Sequence, residues 1–153
     1  MIFRLGSEEY GLDIRRVQSI VDYAQPTPVP RCPESVLGVV NLRGKVIPVI
    51  DLATRLGREP FVQRVGSRLV VVEGDAGVLG LAVDAAHEVT PIDSSSIQPT
   101  PDAVVSGRNG EIFEGVAHKD GALVILIDLD RALPRAALID IEQSVEAEGY
   151  GDV

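Results

Sequence analysis

The stretch Gly38-Val39…Gly44…Ile50-Asp51-Leu52…Leu56 recurs as Gly115-Val116…Gly121…Ile127-Asp128-Leu129…Leu133, 77 residues on and without a gap. Each copy holds two apolar runs, too short and too β-branched for a helix, joined at a polar turn and followed by an Asp-capped helical turn. A weaker echo sets Gly11-Leu12-Asp13-Ile14…Ile20 against Gly80-Leu81-Ala82-Val83…Val89, 69 residues on. Two related β-halves predict two small barrels around a shared core, with a groove between them as the natural place for a binding site.

The rest of the chain fits that frame. Ile2–Leu5, Glu9–Ile14 and Val17–Val21 read as extended pieces, and Pro26, Pro28, Pro30 and Pro33 keep the next stretch non-helical. Residues 58–67 read as a surface loop. Leu69–Glu73 and Val78–Val83 form a hairpin, Val89–Ile92 a short extended piece, and Glu111–Ala117 with Ala122–Ile127 the last hairpin. With three Phe, three Tyr and no Trp, the core is built from Val, Ile and Leu. The domain is expected to span residues 1–137, with 138–153 a helical or frayed tail that carries acids and no bases from Glu142 onward.

Composition excludes several functions. A formal charge of −9 and few stacking aromatics argue against nucleic acid as a partner. No apolar run approaches the roughly 20 residues of a membrane span, and a first strand at Ile2 leaves no room for a leader. One cysteine, Cys32, allows no internal disulfide. His87 and His118 stand outside any metal-binding spacing, and no nucleotide-binding loop occurs, so neither metal nor cofactor is expected. Asp51 and Asp128 hold equivalent repeat positions and invite a paired-carboxylate hydrolase, with Cys32 a second candidate nucleophile. Both Asp residues are followed by Leu and open a helix, which favours capping over catalysis. No catalytic residue is assigned.

Arg43 is the residue that the fold pattern does not explain. Its counterpart 77 residues on is Asp120, so the turn has no need of a guanidinium. On spacing alone it reads as a solvated turn residue. A guanidinium is also a five-donor fork suited to carboxylates, carbonyls and interfaces.

Several blocks, in order, resemble one family. They are Glu9-Tyr10-Gly11-Leu12-Asp13-Ile14…Val17-Gln18, then Leu37 to Leu52 with Asn41-Leu42-Arg43-Gly44 at its centre, Gly80-Leu81-Ala82-Val83-Asp84, Ile97-Gln98-Pro99-Thr100-Pro101, and Leu123-Val124-Ile125-Leu126-Ile127-Asp128. The chain is similar across Ile2 to Leu133 to CheW, the coupling protein of chemotaxis. The resemblance implies a mainly β fold of two intertwined five-stranded SH3-like β-barrels with short helices. It implies an adaptor, not an enzyme, that couples the helical cytoplasmic tip of a chemoreceptor to the regulatory domain of a CheA-type histidine kinase. A CheW-like adaptor of another chemosensory pathway, or a fragment of CheV or of a kinase, is the alternative.

The resemblance assigns receptor binding to Val17, Ser19, Asn41, Leu42, Arg43 and Val89, lining the groove between the barrels. It assigns the kinase or ring contact to Gln98, Pro99, Asp102 and Ala103. It implies a cytoplasmic protein, monomeric alone and recruited to membrane-associated receptor arrays without entering the membrane. Two departures stand out. Ser19 replaces the usual Glu beside the groove, and Gln98 and Ala103 replace a basic residue and an aromatic anchor.

Overall fold

A computed structural model of the chain describes residues 1–31, 33–75, 77–89, 92, 95, 97–99 and 112–133. In chain order the elements are β1 (Ile2–Leu5), β2 (Glu8–Gly11), a 3-10 turn (Ile14–Arg16), β3 (Val17–Asp22), β4 (Val36–Leu42), β5 (Lys45–Asp51) and α1 (Leu52–Arg55). There follow β6 (Arg68–Gly74), β7 (Gly77–Val83), β8 (Ala85–Glu88), β9 (Phe113–Lys119), β10 (Ala122–Ile127) and α2 (Leu129–Ala132).

The strands form two five-stranded sheets, β8-β1-β2-β10-β9 and β3-β6-β7-β5-β4. The fold is mainly β, as expected, but each sheet is an open row among the described residues, not a closed ladder. The first sheet takes the hairpin β1–β2 from the start of the chain and everything else from its second half. The second sheet takes β6–β7 from the second half and everything else from the first. The two hairpins are therefore exchanged, which is how the halves intertwine. Each inserts by a parallel pairing, Leu126 opposite Gly11 in one sheet and Val49 opposite Gly80 in the other.

The 77-residue repeat is one structural unit used twice. β4 and β9 match over their whole lengths, as do α1 and α2. Gly38 and Gly115 mark where an incoming segment crosses the first strand of each unit. Thr27 bridges to Val39 in one copy and Gln98 to Val116 in the other. A Cβ on Gly38 would lie 2.2 Å from the Thr27 carbonyl oxygen, and one on Gly115 would lie 2.6 Å from that of Gln98. Only glycine admits so close a backbone approach.

One core cluster joins the sheets. Phe3, Tyr10 and Ile127 of the first meet Val70, Val72, Leu79 and Leu81 of the second. A satellite cluster of Val40, Ile47, Val49, Leu69, Val71 and Ala82 belongs to the second sheet alone. The run Leu69–Val72 is apolar throughout because alternate residues serve the two clusters.

Two sequence expectations change. The run Glu9–Ile14 is not one strand: β2 stops at Gly11, and Asp13 accepts the Arg15 amide at 3.0 Å to cap the 3-10 turn. The strand β8 was not foreseen; Ala85 and Ala86 carry little β propensity and form it by pairing with β1. Residues 58–67 carry neither strand nor helix, in line with a loop. The extended reading of Val89–Ile92 and the tail 138–153 fall wholly or partly outside the described residues.

Candidate functional site

The turn that carries Arg43 is built by backbone chemistry. Leu42 pairs with Lys45, leaving a two-residue loop of Arg43 and Gly44 with φ of +54° and +83°. This is the I′ geometry, whose twist suits a hairpin and which favours Asn or Asp before Gly. The Asn41 side-chain oxygen accepts the Gly44 amide at 3.0 Å and holds the loop shut. The counterpart loop, Asp120-Gly121, has φ of +49° and +81° and the favoured Asp-Gly pair. Arg43 thus occupies a left-handed position that its own side chain does nothing to stabilise.

Beside the turn lies a hollow of about 280 Å³. Its floor is apolar: Val21 from β3, Ile47 from β5, Val71 from β6 and Val78 from β7. Leu42, Arg43 and Lys45 form one wall, and Gln18 and Ser19 the other. Among the described residues Arg43 and Lys45 are the charged ones in the lining, and both are exposed. Among the described residues neither makes an ion pair. Ser19, small and neutral, leaves that wall without a carboxylate, so the mouth of the hollow is cationic over a greasy floor. Gln18 donates to the Glu73 carboxylate at 3.2 Å and closes the far edge.

Of the receptor residues expected from the sequence, Ser19, Leu42 and Arg43 come together here. Asn41 lines a neighbouring hollow with Ala24, Gln25 and Thr27, and acts on Arg43 through the turn. Val17 is half-buried against the core that joins the sheets, and Val89 follows β8 with 59 % of its surface exposed. Neither lines the Arg43 hollow. The lining residues belong to β3, the β4–β5 hairpin, β6 and β7, so this hollow lies on the second sheet and not in a groove between the two sheets. Val21, Lys45, Ile47, Val71 and Val78 were missed. Their alternation was visible, but which strands lie side by side is set by the hairpin exchange, which leaves no local mark.

A hollow where the two sheets meet, about 240 Å³, lies between the β1–β2 turn and the segment after α1. Glu8 ion-pairs with Arg58 at its edge and accepts the Tyr10 hydroxyl at 2.9 Å, and the Gly6 amide donates to Asp84 at 2.6 Å.

Of the kinase-contact residues, Gln98 and Pro99 are exposed, and the Gln98 backbone exchanges hydrogen bonds of 2.9 and 2.8 Å with Val116. Asp102 and Ala103 lie outside the described residues. Asp51 and Asp128 are helix caps and face different hairpins. Asp51 accepts the Thr54 amide at 3.1 Å, the Thr54 hydroxyl at 2.8 Å and the Phe61 amide at 2.9 Å, the bonding of a structural cap. Among the described residues no group of His, Cys, Asp and Glu could hold a metal, and no helix is long and apolar enough to cross a membrane.

The family model for the CheW-like domain matches residues 1–137. The chain is 36 % identical over 132 residues to a chemotaxis protein CheW of Rhizobium meliloti, covering 86 % of this chain and 84 % of that one. It is 32 % identical over 142 residues to the chemotaxis protein CheW of Klebsiella aerogenes, covering 92 % and 85 %. Among solved structures, the scaffolding protein TtCheW of Thermoanaerobacter tengcongensis superposes with a TM-score of 0.77 at 42 % identity, covering 86 % and 84 %. With its exchanged hairpins, its doubled Asp-capped unit and these relatives, the chain belongs to the CheW family.

Proposed function

We propose that the Arg43 hollow is the receptor-binding site of this chemotaxis coupling adaptor. The observation that supports it is the arginine itself. A non-glycine residue held at φ +54°, where the twin turn uses Asp, is a local cost that the fold does not require. What Arg43 gains is position: it stands exposed at the rim of an apolar hollow, with no ion-pair partner among the described residues. The matching ligand is an amphipathic helix whose apolar stripe lies on Val21, Ile47, Val71 and Val78, with a carboxylate or carbonyl at the rim. With Ser19 in place of a carboxylate, the site favours an acidic helix face over a basic one.

The partners in this reading are a chemoreceptor cytoplasmic tip at the hollow and a CheA-type kinase regulatory domain at a second surface around Gln98, Pro99, Asp102 and Ala103. The protein acts in the cytoplasm at receptor arrays, as a scaffold without turnover. Single contacts of this kind are modest, and multivalent assembly strengthens them. Co-sedimentation with a receptor tip and a kinase regulatory domain tests the assignment. Arg43→Glu is expected to weaken receptor binding by about tenfold or more and to leave kinase binding unchanged. Receptor binding by Arg43→Glu equal to wild type removes the hollow from the receptor site.

A further inference from the structure

We propose that the acidic C-terminal segment of this chain, residues 138–153, docks in the Arg43 hollow of its own molecule and competes there with a partner helix. The competition rests on the reading of that hollow as the receptor site; the docking does not.

The first support is where the chain leaves the fold. After α2 the Leu133 side chain lies against the end of β6: a Cβ on Gly74 would be 3.0 Å from Leu133 Cδ1. This exit is pinned. Asp130 accepts the Asp75 amide at 3.0 Å and the Arg16 guanidinium at 2.7 and 2.8 Å, while Arg16 also donates to the Glu73 carbonyl at 2.9 Å. The hollow lies on the same hairpin. Val71 is three residues back along β6, about 10 Å away, and Val78 pairs with Glu73, but both face the side of the sheet opposite Leu133, so the tail reaches them by rounding the β6–β7 turn. Asp140 lies seven residues beyond Leu133, a reach of up to about 24 Å, which lets the acidic segment round the turn to the hollow.

The second support is complementarity. Residues 136–153 hold five acids, Asp140, Glu142, Glu146, Glu148 and Asp152, and no base. They also hold Leu138, Ile139, Ile141 and Val145, apolar residues that suit the floor. Arg43 and Lys45 form a cationic mouth on a chain of formal charge −9, and among the described residues neither has an ion-pair partner. A tether this short holds its ligand at an effective concentration of about 1 mM. An intrinsic dissociation constant near 0.1 mM would then weaken an outside partner about tenfold, by occupancy alone.

The test uses the full chain with a nitroxide at Gly151→Cys in a Cys32→Ser background and labelled Leu and Val methyls. Docking is expected to broaden the methyls of Leu42, Val71 and Val78, and 0.5 M salt or Arg43→Glu to remove the broadening. A second variant neutralises the five acids by Asp140→Asn, Glu142→Gln, Glu146→Gln, Glu148→Gln and Asp152→Asn. It is expected to lose the broadening and to bind a receptor tip about three- to tenfold more tightly. No broadening in the parent overturns the proposal, whatever the receptor does. Broadening only when labelled and nitroxide-bearing chains are mixed assigns the tail to a second copy and overturns docking in its own molecule. Broadening with unchanged receptor affinity upholds docking, overturns the competition, and counts against the hollow as receptor site.

Discussion

Arg43 sits in a left-handed turn position that Asp or Asn would fill more comfortably, as Asp120 does in the twin loop. The cost for a residue of its kind is about 1 kcal/mol. Arg43→Asn therefore separates fold from function at one atom group. It should raise the urea midpoint by the equivalent of about 0.5–1 kcal/mol and at the same time weaken receptor binding. A loss of stability would mean that the arginine serves the fold, and the functional argument built on its strain would go. Tyr10 offers a second residue-scale test. Its ring is fully buried against Phe3, with centroids 5.9 Å apart, and its hydroxyl donates to Glu8. Burial, reinforced by the Glu8 hydrogen bond, pushes the phenol up to about 12. The unfolded chain ionises near 10, so the neutral native phenol stabilises the fold fully below that pH, and the contribution is lost as pH rises toward 12. Wild type should lose about 1–2 kcal/mol across that interval. Tyr10→Phe should cost about 1 kcal/mol at pH 8 and flatten the alkaline limb. An identical limb in the variant would place its origin in another group.

At the scale of elements, the repeat made much of the fold legible. Both hairpins, both Asp caps and both positive-φ turns could be read because each is a local signal: alternation, a capping residue, a glycine. What could not be read was traffic between elements. β8 has an Ala-Ala start and exists by virtue of its neighbour β1. The floor of the Arg43 hollow draws on four strands whose adjacency no short window encodes. Arg43 and Leu42 were legible through motif resemblance, Val71 and Val78 only through register. The two caps, identical in sequence logic, also diverge in weight. Asp51 is 2 % exposed and accepts three hydrogen bonds, whereas Asp128 accepts the Arg131 amide at a longer 3.3 Å. Asp51→Ala should cost about 2–3 kcal/mol, since it leaves half-buried donors on Thr54 and Phe61 without their acceptor. Asp128→Ala should cost about 0.5–1 kcal/mol. Thermal or urea unfolding of the two variants decides it; equal losses would mean that Asp51's extra bonds add nothing.

For the whole molecule, the exchange of β1–β2 and β6–β7 decides how stability is shared. A chain of two independent barrels would unfold in two steps. Here neither sheet can be completed by its own half, because each borrows its central hairpin from the other. The chain crosses between sheets twice, through the 3-10 turn after β2 and at Asp84 after β7, whose amide donates to the Arg4 carbonyl at 3.0 Å. The core cluster that holds Phe3 and Tyr10 also holds Val70 and Leu81, so losing one sheet exposes apolar surface on the other. The chain should therefore unfold in a single transition despite its internal duplication. Leu69→Ala in the second sheet and Val124→Ala in the first, both fully buried, should each lower the same midpoint, Leu69→Ala by about 2–4 kcal/mol and Val124→Ala by somewhat less. Amide exchange in β6 and β10 should then accelerate together in either variant. If Leu69→Ala loosened β6 while β10 kept its protection, the sheets would be separable units, and the exchanged hairpins would be a matter of connectivity without energetic consequence. A single transition would carry a functional corollary: a partner bound on the second sheet would stabilise the first, since both are drawn from one unfolding equilibrium.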